Sequence, residues 1–416
     1  VPGLVDMWCR VNADHGSKSM DELLQPAIRY AEEGYAVHDR VAFDWQDCTQ
    51  RFAAMPEIDP VLLPNGRTPK PGEKMRDPRL AESLRRIGRQ GRAGFYEGPV
   101  AEDMAAELKR LGGRHALEDF ASAEGEYVEP ISTHYRGAEI FQMPPNNQGL
   151  TALVMLNILS GFDLGSLDPV GAERLHLEIE AGRLAYRERN LRIADPGHVK
   201  VPVKELLSPS HAAKWRAMID RDHAIGTLPP SPMEKSETIY LCVVDRDRNA
   251  VSFINSVYHS FGSGVVAPKS GVILQNRGAS FRLDPNHPNC IAPGKRPMHT
   301  IMPGMALKDG RAMMPFGVMG GDYQPFGHVH LLTNMLDFGM DPQAALDCPR
   351  VFYSGNFAEV ERGVSPAAVL GLQQRGHNTA IPFEPLGGGQ AIHIDWQSGT
   401  LTAGSDPRKD GCALGF

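Results

Sequence analysis

Six consecutive apolar residues, Ile239-Tyr240-Leu241-Cys242-Val243-Val244, follow the short polar entry Ser236-Glu237-Thr238 and end at Asp245. A run this continuous predicts a strand covered on both faces, as when a sheet lies between other layers. Arg246-Asp247-Arg248-Asn249 carries turn chemistry, and Ala250 to Val257 returns as a second β-branched, apolar-rich run, so the pair predicts a hairpin. Thr238 stands at the mouth of its first strand. On residue pattern alone it is simply where that strand begins.

The chemistry open to Thr238 is limited. A threonine hydroxyl is a poor nucleophile near neutral pH, and no histidine neighbours it in this stretch. An α-amino group, with a reference pKa of about 7.7–8.0, could take the hydroxyl proton, and Thr238 would own one only after the Glu237–Thr238 peptide breaks. Hairpin register decides which residue faces it. A plain four-residue turn sets Val257 opposite Thr238, whereas a one-residue bulge brings Ser256 there.

Length and charge narrow the remaining classes. The 416 residues can bury a large core and allow two or three domains. With Lys plus Arg at 43 and Asp plus Glu at 50, the net charge of −7 argues against a nucleic-acid surface or an anionic membrane as partner. No apolar run approaches the roughly 20 residues of a membrane span, so a soluble chain is expected, with the cytoplasm as its expected place. The cysteines at 9, 48, 242, 290, 348 and 412 are scattered, without Cys-x-x-Cys or histidines at metal spacing. They signal neither zinc nor a disulfide framework, and most are expected to be small buried apolar residues. No cofactor is implied. The first residue is Val1, and a leader upstream of it would be invisible.

Along the chain, Ser19 to Gly34 predicts a helix with Leu23, Ile28 and Ala31 on its apolar face and Gly34 as its stop. Residues 60–77 read as a loop, and 80–111 as helical segments broken at Gly94–Gly98. Tyr127 to Gln142 is β-rich, and the stiff turn Met143-Pro144-Pro145-Asn146-Asn147-Gln148-Gly149 leads into an apolar helix over Thr151 to Leu159. Helix resumes over His211–Ile219. Asp222 to Ser236, with Gly226, Pro229, Pro230 and Pro232, reads as an exposed linker of the kind a cleavage site needs upstream.

Thr238-Ile-Tyr-Leu-Cys-Val-Val-Asp245, Asn249-Ala250-Val251-Ser252, Phe261-Gly262-Ser263-Gly264 and Gly271-Val272-Ile273-Leu274-Gln275-Asn276 resemble, in order and spacing, the nucleophile region of the gamma-glutamyltranspeptidase family. The resemblance extends over nearly the whole chain and is most specific from Thr238 to Gly321. It implies an α+β fold, the four-layer αββα sandwich of N-terminal nucleophile hydrolases. A precursor would cut itself between Glu237 and Thr238, giving a mostly helical large-subunit portion, 1–237, and a small-subunit portion, 238–416, with a homodimer of the processed unit possible. Thr238 would then be the nucleophile, assisted by the Ser256 hydroxyl, which is why a bulge is expected. Gly294 to Pro303 matches a pocket motif in which His299 and Thr300 stand where the family has two serines. Phe316-Gly317-Val318-Met319-Gly320-Gly321-Asp322 matches the glycine pair whose N–H groups hold the oxyanion. Glycine suits that task because main-chain donors approach a substrate with no Cβ in the way.

This sequence departs from the family where the glutamyl group is held. An asparagine, a glutamine and an aspartate are replaced by Tyr258, Arg277 and Ser280, with Asn276 adjacent. The partner for a substrate ammonium is lost and a guanidinium is gained, whose fork suits a carboxylate at about 1.5–3 kcal/mol per charged hydrogen bond. The expected substrate is therefore a small amide bearing a carboxylate, as in the family's oxamate amidohydrolase-like branch, and glutathione-type donors should be poor. The family's large subunit also starts well upstream of Val1. Transfer to an amine, as in a true gamma-glutamyltransferase or glutathione hydrolase, is the alternative outcome. A rival from another class is an uncleaved, inactive homologue serving as a binding subunit.

Overall fold

A computed structural model describes residues 1–55, 57–226, 228 and 238–416. Glu237 and most of the expected linker, residues 227 and 229–236, lie outside the described residues. The chain divides into two compact units, one of residues 1–127 with 257–277 and one of residues 128–256 with 278–416.

The first unit is helical: α1 (Leu4–His15), α2 (Met20–Glu33), α3 (Asp39–Asp47), α4 (Thr49–Ala53), α5 (Pro78–Gln90), α6 (Ala93–Tyr96), α7 (Gly98–Arg110) and α8 (Leu117–Ala121), with two-residue strands β1 (Tyr35–Ala36) and β2 (Lys74–Met75). Ser19 caps α2 by accepting from the Glu22 N–H, and the helix stops at Gly34, as its sequence predicts. Its buried face is Leu24, Ile28 and Ala31, whereas Leu23, expected inside, is exposed. The spacing i, i+4, i+7 from Leu24 gives a tighter stripe than one drawn from Leu23. Short α6 follows the Gly91 turn, so the break falls before Gly94 as well as at Gly98.

The second unit carries β3 (Ile131–Tyr135), β4 (Ala138–Gln142), α9 (Gly149–Leu159), α10 (Ala172–Arg192), α11 (Val203–Leu206), α12 (Pro209–Arg216), β5 (Ile239–Val244), β6 (Ala250–Asn255), β7 (Gly304–Lys308), β8 (Arg311–Met319), α13 (Gln324–Leu336), α14 (Pro342–Asp347), β9 (Val351–Ser354), β10 (Phe357–Val360), α15 (Pro366–Gln374), β11 (Thr379–Ala380), β12 (Gly388–Ile394) and β13 (Leu401–Ser405). An antiparallel six-stranded sheet runs β13-β12-β8-β7-β4-β3. Helices α9, α10 and α13 share its core, in which Leu153, Leu156, Leu177, Phe316, Val318 and Phe326 are fully buried. The hairpin β5–β6 packs on β8 and β12. A small sheet, β11-β10-β9, lies beside α10 and α15.

The hairpin refines two expectations. Its ladder is regular from Val244↔Ala250 to Ile239↔Asn255. The additional residue sits in the turn: Asp245 N–H donates to Asn249 O at 3.2 Å, Arg248 N–H to Asp245 O at 3.1 Å, and Arg248 is left-handed with φ 67. This is a three-residue turn with its bulge at the end, and continuing the ladder by one pair sets Ser256 opposite Thr238. The second expectation fails. Tyr240 is buried, but Ile239, Leu241 and Val243 are 64%, 42% and 50% exposed, so only one face of β5 is covered. The cysteines are also less buried than expected: Cys48 and Cys348 are buried while the other four are partly or fully exposed.

Candidate active site

The covered face of the hairpin carries the cross-strand pair Tyr240 and Ile254, both buried. Gly317 of β8 leaves a notch for Tyr240, and a Cβ there would lie 2.3 Å from the ring. The Tyr240 hydroxyl bonds Ser252 Oγ at 2.9 Å, and Ser252 donates on to Phe316 O at 3.3 Å. Two residues upstream, Thr238 is buried, and its Oγ1 has no hydrogen-bond partner among the described residues. An unpartnered buried hydroxyl is uncommon, because desolvation is then uncompensated.

Beyond Gly317, β8 ends at Met319 and the chain turns through Gly320 (φ 125) and Gly321 (φ 59) into α13. Both conformations are ones that side chains rarely adopt. Tyr323 N–H donates to Gly320 O at 3.0 Å and Gln148 Nε2 to Gly321 O at 2.9 Å. His299 and Thr300 lie on a segment clamped by the turn before α9. His299 N–H donates to Asn146 O and Gln148 N–H to His299 O, each at 3.0 Å. Ser280 is buried, its carbonyl accepting from Asn289 Nδ2 at 2.8 Å, and Asn289 Oδ1 accepts from Met298 N–H at 3.0 Å. Thr238, Ser256, Ser280, His299, Thr300, Gly320 and Gly321 thus all belong to the second unit.

Tyr258, Asn276 and Arg277 belong to the first unit. Tyr258 has φ 81 and stacks on His259 with ring centroids 4.6 Å apart. Asn276 Nδ2 lies 2.8 Å from His259 Nδ1. The Arg277 guanidinium lies 5.0 Å from the centre of the Tyr258 ring. Desolvation lowers its pKa to about 10, against the opposing pull of Tyr258, so it remains a cation at neutral pH.

The structure brings together groups that sequence spacing did not connect. His176, Glu180 and His377 are buried with ligand-type atoms within 4.8 Å of one another. Their hydrogen bonds already use these atoms. His176 Nε2 meets Asp220 O at 2.7 Å and must carry the proton, so its Nδ1 accepts from His377 Nε2 at 2.7 Å. Glu180 accepts from Arg183 at 2.8 Å and from Ile225 N–H at 2.7 Å. Burial keeps both rings neutral by lowering their pKa values, that of His377 to about 3.

Sequence reasoning also passed over Gln148 and Arg189. Both stand in stretches with a visible signal, the Pro-Pro turn and the polar Arg187-Glu188-Arg189 run inside a helix, and both are buried beside the glycine turn.

The fold is the mixed α+β fold of N-terminal nucleophile hydrolases. The solved structure of cephalosporin acylase from Bacillus halodurans matches 99% of this chain and 77% of its own, with a TM-score of 0.92 at 39% identity. The gamma-glutamyltranspeptidase family matches residues 1–416, and the chain belongs to that family of hydrolases. It is 35% identical to the glutathione hydrolase-like YwrD proenzyme of Bacillus subtilis and 33% identical to the oxamate amidohydrolase proenzyme of Klebsiella pneumoniae, in each case over 100% of this chain and 80% of the relative. No helix among the described residues is long and apolar enough to cross a membrane.

Proposed function

We propose that this chain is a threonine-nucleophile amidohydrolase, matured by cleavage between Glu237 and Thr238 into portions 1–237 and 238–416, that hydrolyses a small carboxylate-bearing amide. The observation that carries the proposal is the buried Oγ1 of Thr238 at the head of β5, without a partner among the described residues, with Ser256 opposite by register. Cleavage would supply the base that this hydroxyl lacks. Thr238 Oγ attacks the amide carbonyl while the new α-amine takes its proton, and the N–H groups of Gly320 and Gly321 receive the oxyanion. The same amine then protonates the leaving nitrogen, and water, deprotonated in turn, releases the acid from the ester. His299, Thr300 and Ser280 would line the acyl pocket. Arg277 would take the carboxylate, and the resemblance to an enzyme named for oxamate supports that choice. A second reading, hydrolysis or transfer of a γ-glutamyl group, is favoured by the likeness to a glutathione hydrolase-like protein.

Denaturing mass spectrometry tests maturation: two fragments meeting at Thr238 are expected, and a single 45.5 kDa species in active material overturns it. Thr238→Ala should abolish both cleavage and hydrolysis. Comparison of glutaryl-p-nitroanilide, its neutral methyl ester and γ-glutamyl-p-nitroanilide tests the acyl group. The free acid should be preferred over both, and equal rates for acid and ester remove the role given to Arg277.

A further inference from the structure

The turn Asn146-Asn147-Gln148 touches both segments assigned to the pocket of the second unit. Its backbone pairs with His299, and the Asn146 side chain donates to Pro297 O at 2.6 Å. The Gln148 side chain reaches the glycine turn, giving Gly321 O its 2.9 Å hydrogen bond. Gln148 is itself held. Arg189 Nη1 donates to Gln148 Oε1 at 2.8 Å and to Asp322 Oδ1 at 2.7 Å, and the Tyr186 hydroxyl donates to Asp322 O. Gln148 and Arg189 are buried to 0% and 2% exposure, so these bonds form where water does not compete.

Peptide planarity makes this network a matter of direction as well as stability. The C=O and N–H of one peptide unit point opposite ways, so a carbonyl fixed on the protein side fixes the following N–H on the other. Tyr323 N–H sets the Gly320–Gly321 unit in this manner, and Gln148 sets the Gly321–Asp322 unit. Two adjacent glycines have broad rotational freedom. The second unit carries the Asp322 N–H, so Gln148 acts on the Gly321 N–H through the Cα the two units share: without a donor on Gly321 O the second unit can rotate, and the Gly320–Gly321 unit is then held by the Tyr323 N–H alone.

We propose that Gln148, locked by Arg189, is a positioning residue for the oxyanion donors: it fixes the Gly320–Gly321 turn with its side chain and the His299 segment with its backbone, so one turn sets the spacing of both walls. This inference rests on the reading of Thr238 and the glycine pair given above.

The test uses the cleaved protein and glutaryl-p-nitroanilide. Gln148→Met keeps the volume and removes the donor. It should lower kcat about 10- to 100-fold, below the loss typical for deleting an oxyanion donor outright, with KM within about twofold. A carboxylate-bearing alkylboronic acid, which forms a tetrahedral adduct with a hydroxyl nucleophile, should bind more weakly by about the same factor. A purely structural role would lower the melting temperature and the folded fraction without this split. Unchanged kcat, or a loss confined to KM, overturns the proposal. Should Gln148→Met fail to fold, Arg189→Lys keeps the charge but loosens the fork, and about a 3- to 10-fold loss of kcat is expected; an unchanged rate again overturns it. Thr238→Ala separates the two levels. Hydrolysis surviving in Thr238→Ala sinks the nucleophile reading, and this inference with it. An inert Thr238→Ala beside a fully active Gln148→Met sinks this inference alone.

Discussion

Strands β5 and β8 are both apolar runs in the same unit, and they meet opposite fates. β8 has β7 and β12 on its edges, α13 on one face and the hairpin on the other, and its residues from Met313 to Met319 are all buried. Among the described residues β5 pairs only with β6, and its residues alternate, with Tyr240 inside and Ile239, Leu241 and Val243 outside. Hydrophobic content is therefore not what decides two-sided burial. The number of neighbours decides it, and neighbours come from topology. The proposed nucleophile stands at the head of the strand with fewer neighbours, and the proposed oxyanion turn follows the strand with more. One half of the site is thus braced by a core and the other chiefly by Tyr240 with Ile254 beside it.

The largest expected effect lies on the braced side. Phe316 is 0% exposed, and it packs edge-on to His328 at 5.1 Å. Phe316→Ala should cost about 3–5 kcal/mol in denaturant unfolding, the usual range for a buried aromatic cut to alanine. A cost under about 1 kcal/mol would mean that β8 is no better supported than β5.

Acid probes the same side through His328. Val318 N–H donates to its Nε2 at 3.2 Å, so the neutral ring carries its proton on Nδ1, 3.0 Å from the Gln142 side-chain amide. The structure sets Gln142 Nε2 against that nitrogen, and the proton on Nδ1 requires the amide turned over so that its oxygen, otherwise without a partner among the described residues, accepts. Burial lowers the His328 pKa from 6.5 to about 3. Between these values the unfolded chain binds the proton and the folded chain does not, so stability is full above about pH 6.5 and is lost as pH falls toward 3. The whole shift corresponds to several kcal/mol, at about 1.4 kcal/mol per unit. His328→Gln should flatten the decline of stability between pH 6 and 4, measured by urea midpoints. An unchanged slope would place the acid sensitivity elsewhere.

What was legible in the sequence follows the same division. The roles proposed for Thr238, Gly320 and Gly321 come from short local motifs that carry the family resemblance, and the place of Ser256 opposite Thr238 comes from a register that the residues alone leave open between two turns and the structure decides. The α2 boundaries were readable from Ser19 and Gly34, two caps acting within one turn. Gln148 and Arg189 were not, because their bonds join residues 41 and 173 positions apart. Periodicity carries no record of such contacts. The two-sided burial expected for β5 failed for a related reason: a run of apolar residues reports what a strand can bury, and only the arrangement of other elements determines what it does bury.

Gly317 is where the two regions join, and its expected effect is intermediate. In Gly317→Ala the new Cβ meets the Tyr240 ring at 2.3 Å, so the ring must move and the hairpin with it. Overpacking of this kind costs about 1–3 kcal/mol. Activity should fall by more than stability alone explains, because Thr238 is carried on the displaced strand. Adding Tyr240→Leu should restore part of both, since the clash is with the ring. If the double variant is no better than Gly317→Ala, the ring is not what seats the hairpin.

The smallest effect is expected on the outer face of β5, and it tests the comparison most directly. Leu241 is 42% exposed between Ile239 and Val243, which are exposed as well. Leu241→Thr places a β-branched residue on a pleated surface, so the strand is not penalised. If this face meets water in the working protein, the change should stay within about 0.5 kcal/mol, the range of ordinary surface substitutions. A cost above about 2 kcal/mol would require a buried leucine. Some further element would then cover the hairpin, and the two-sided burial expected from six apolar residues in a row would hold for the working protein after all.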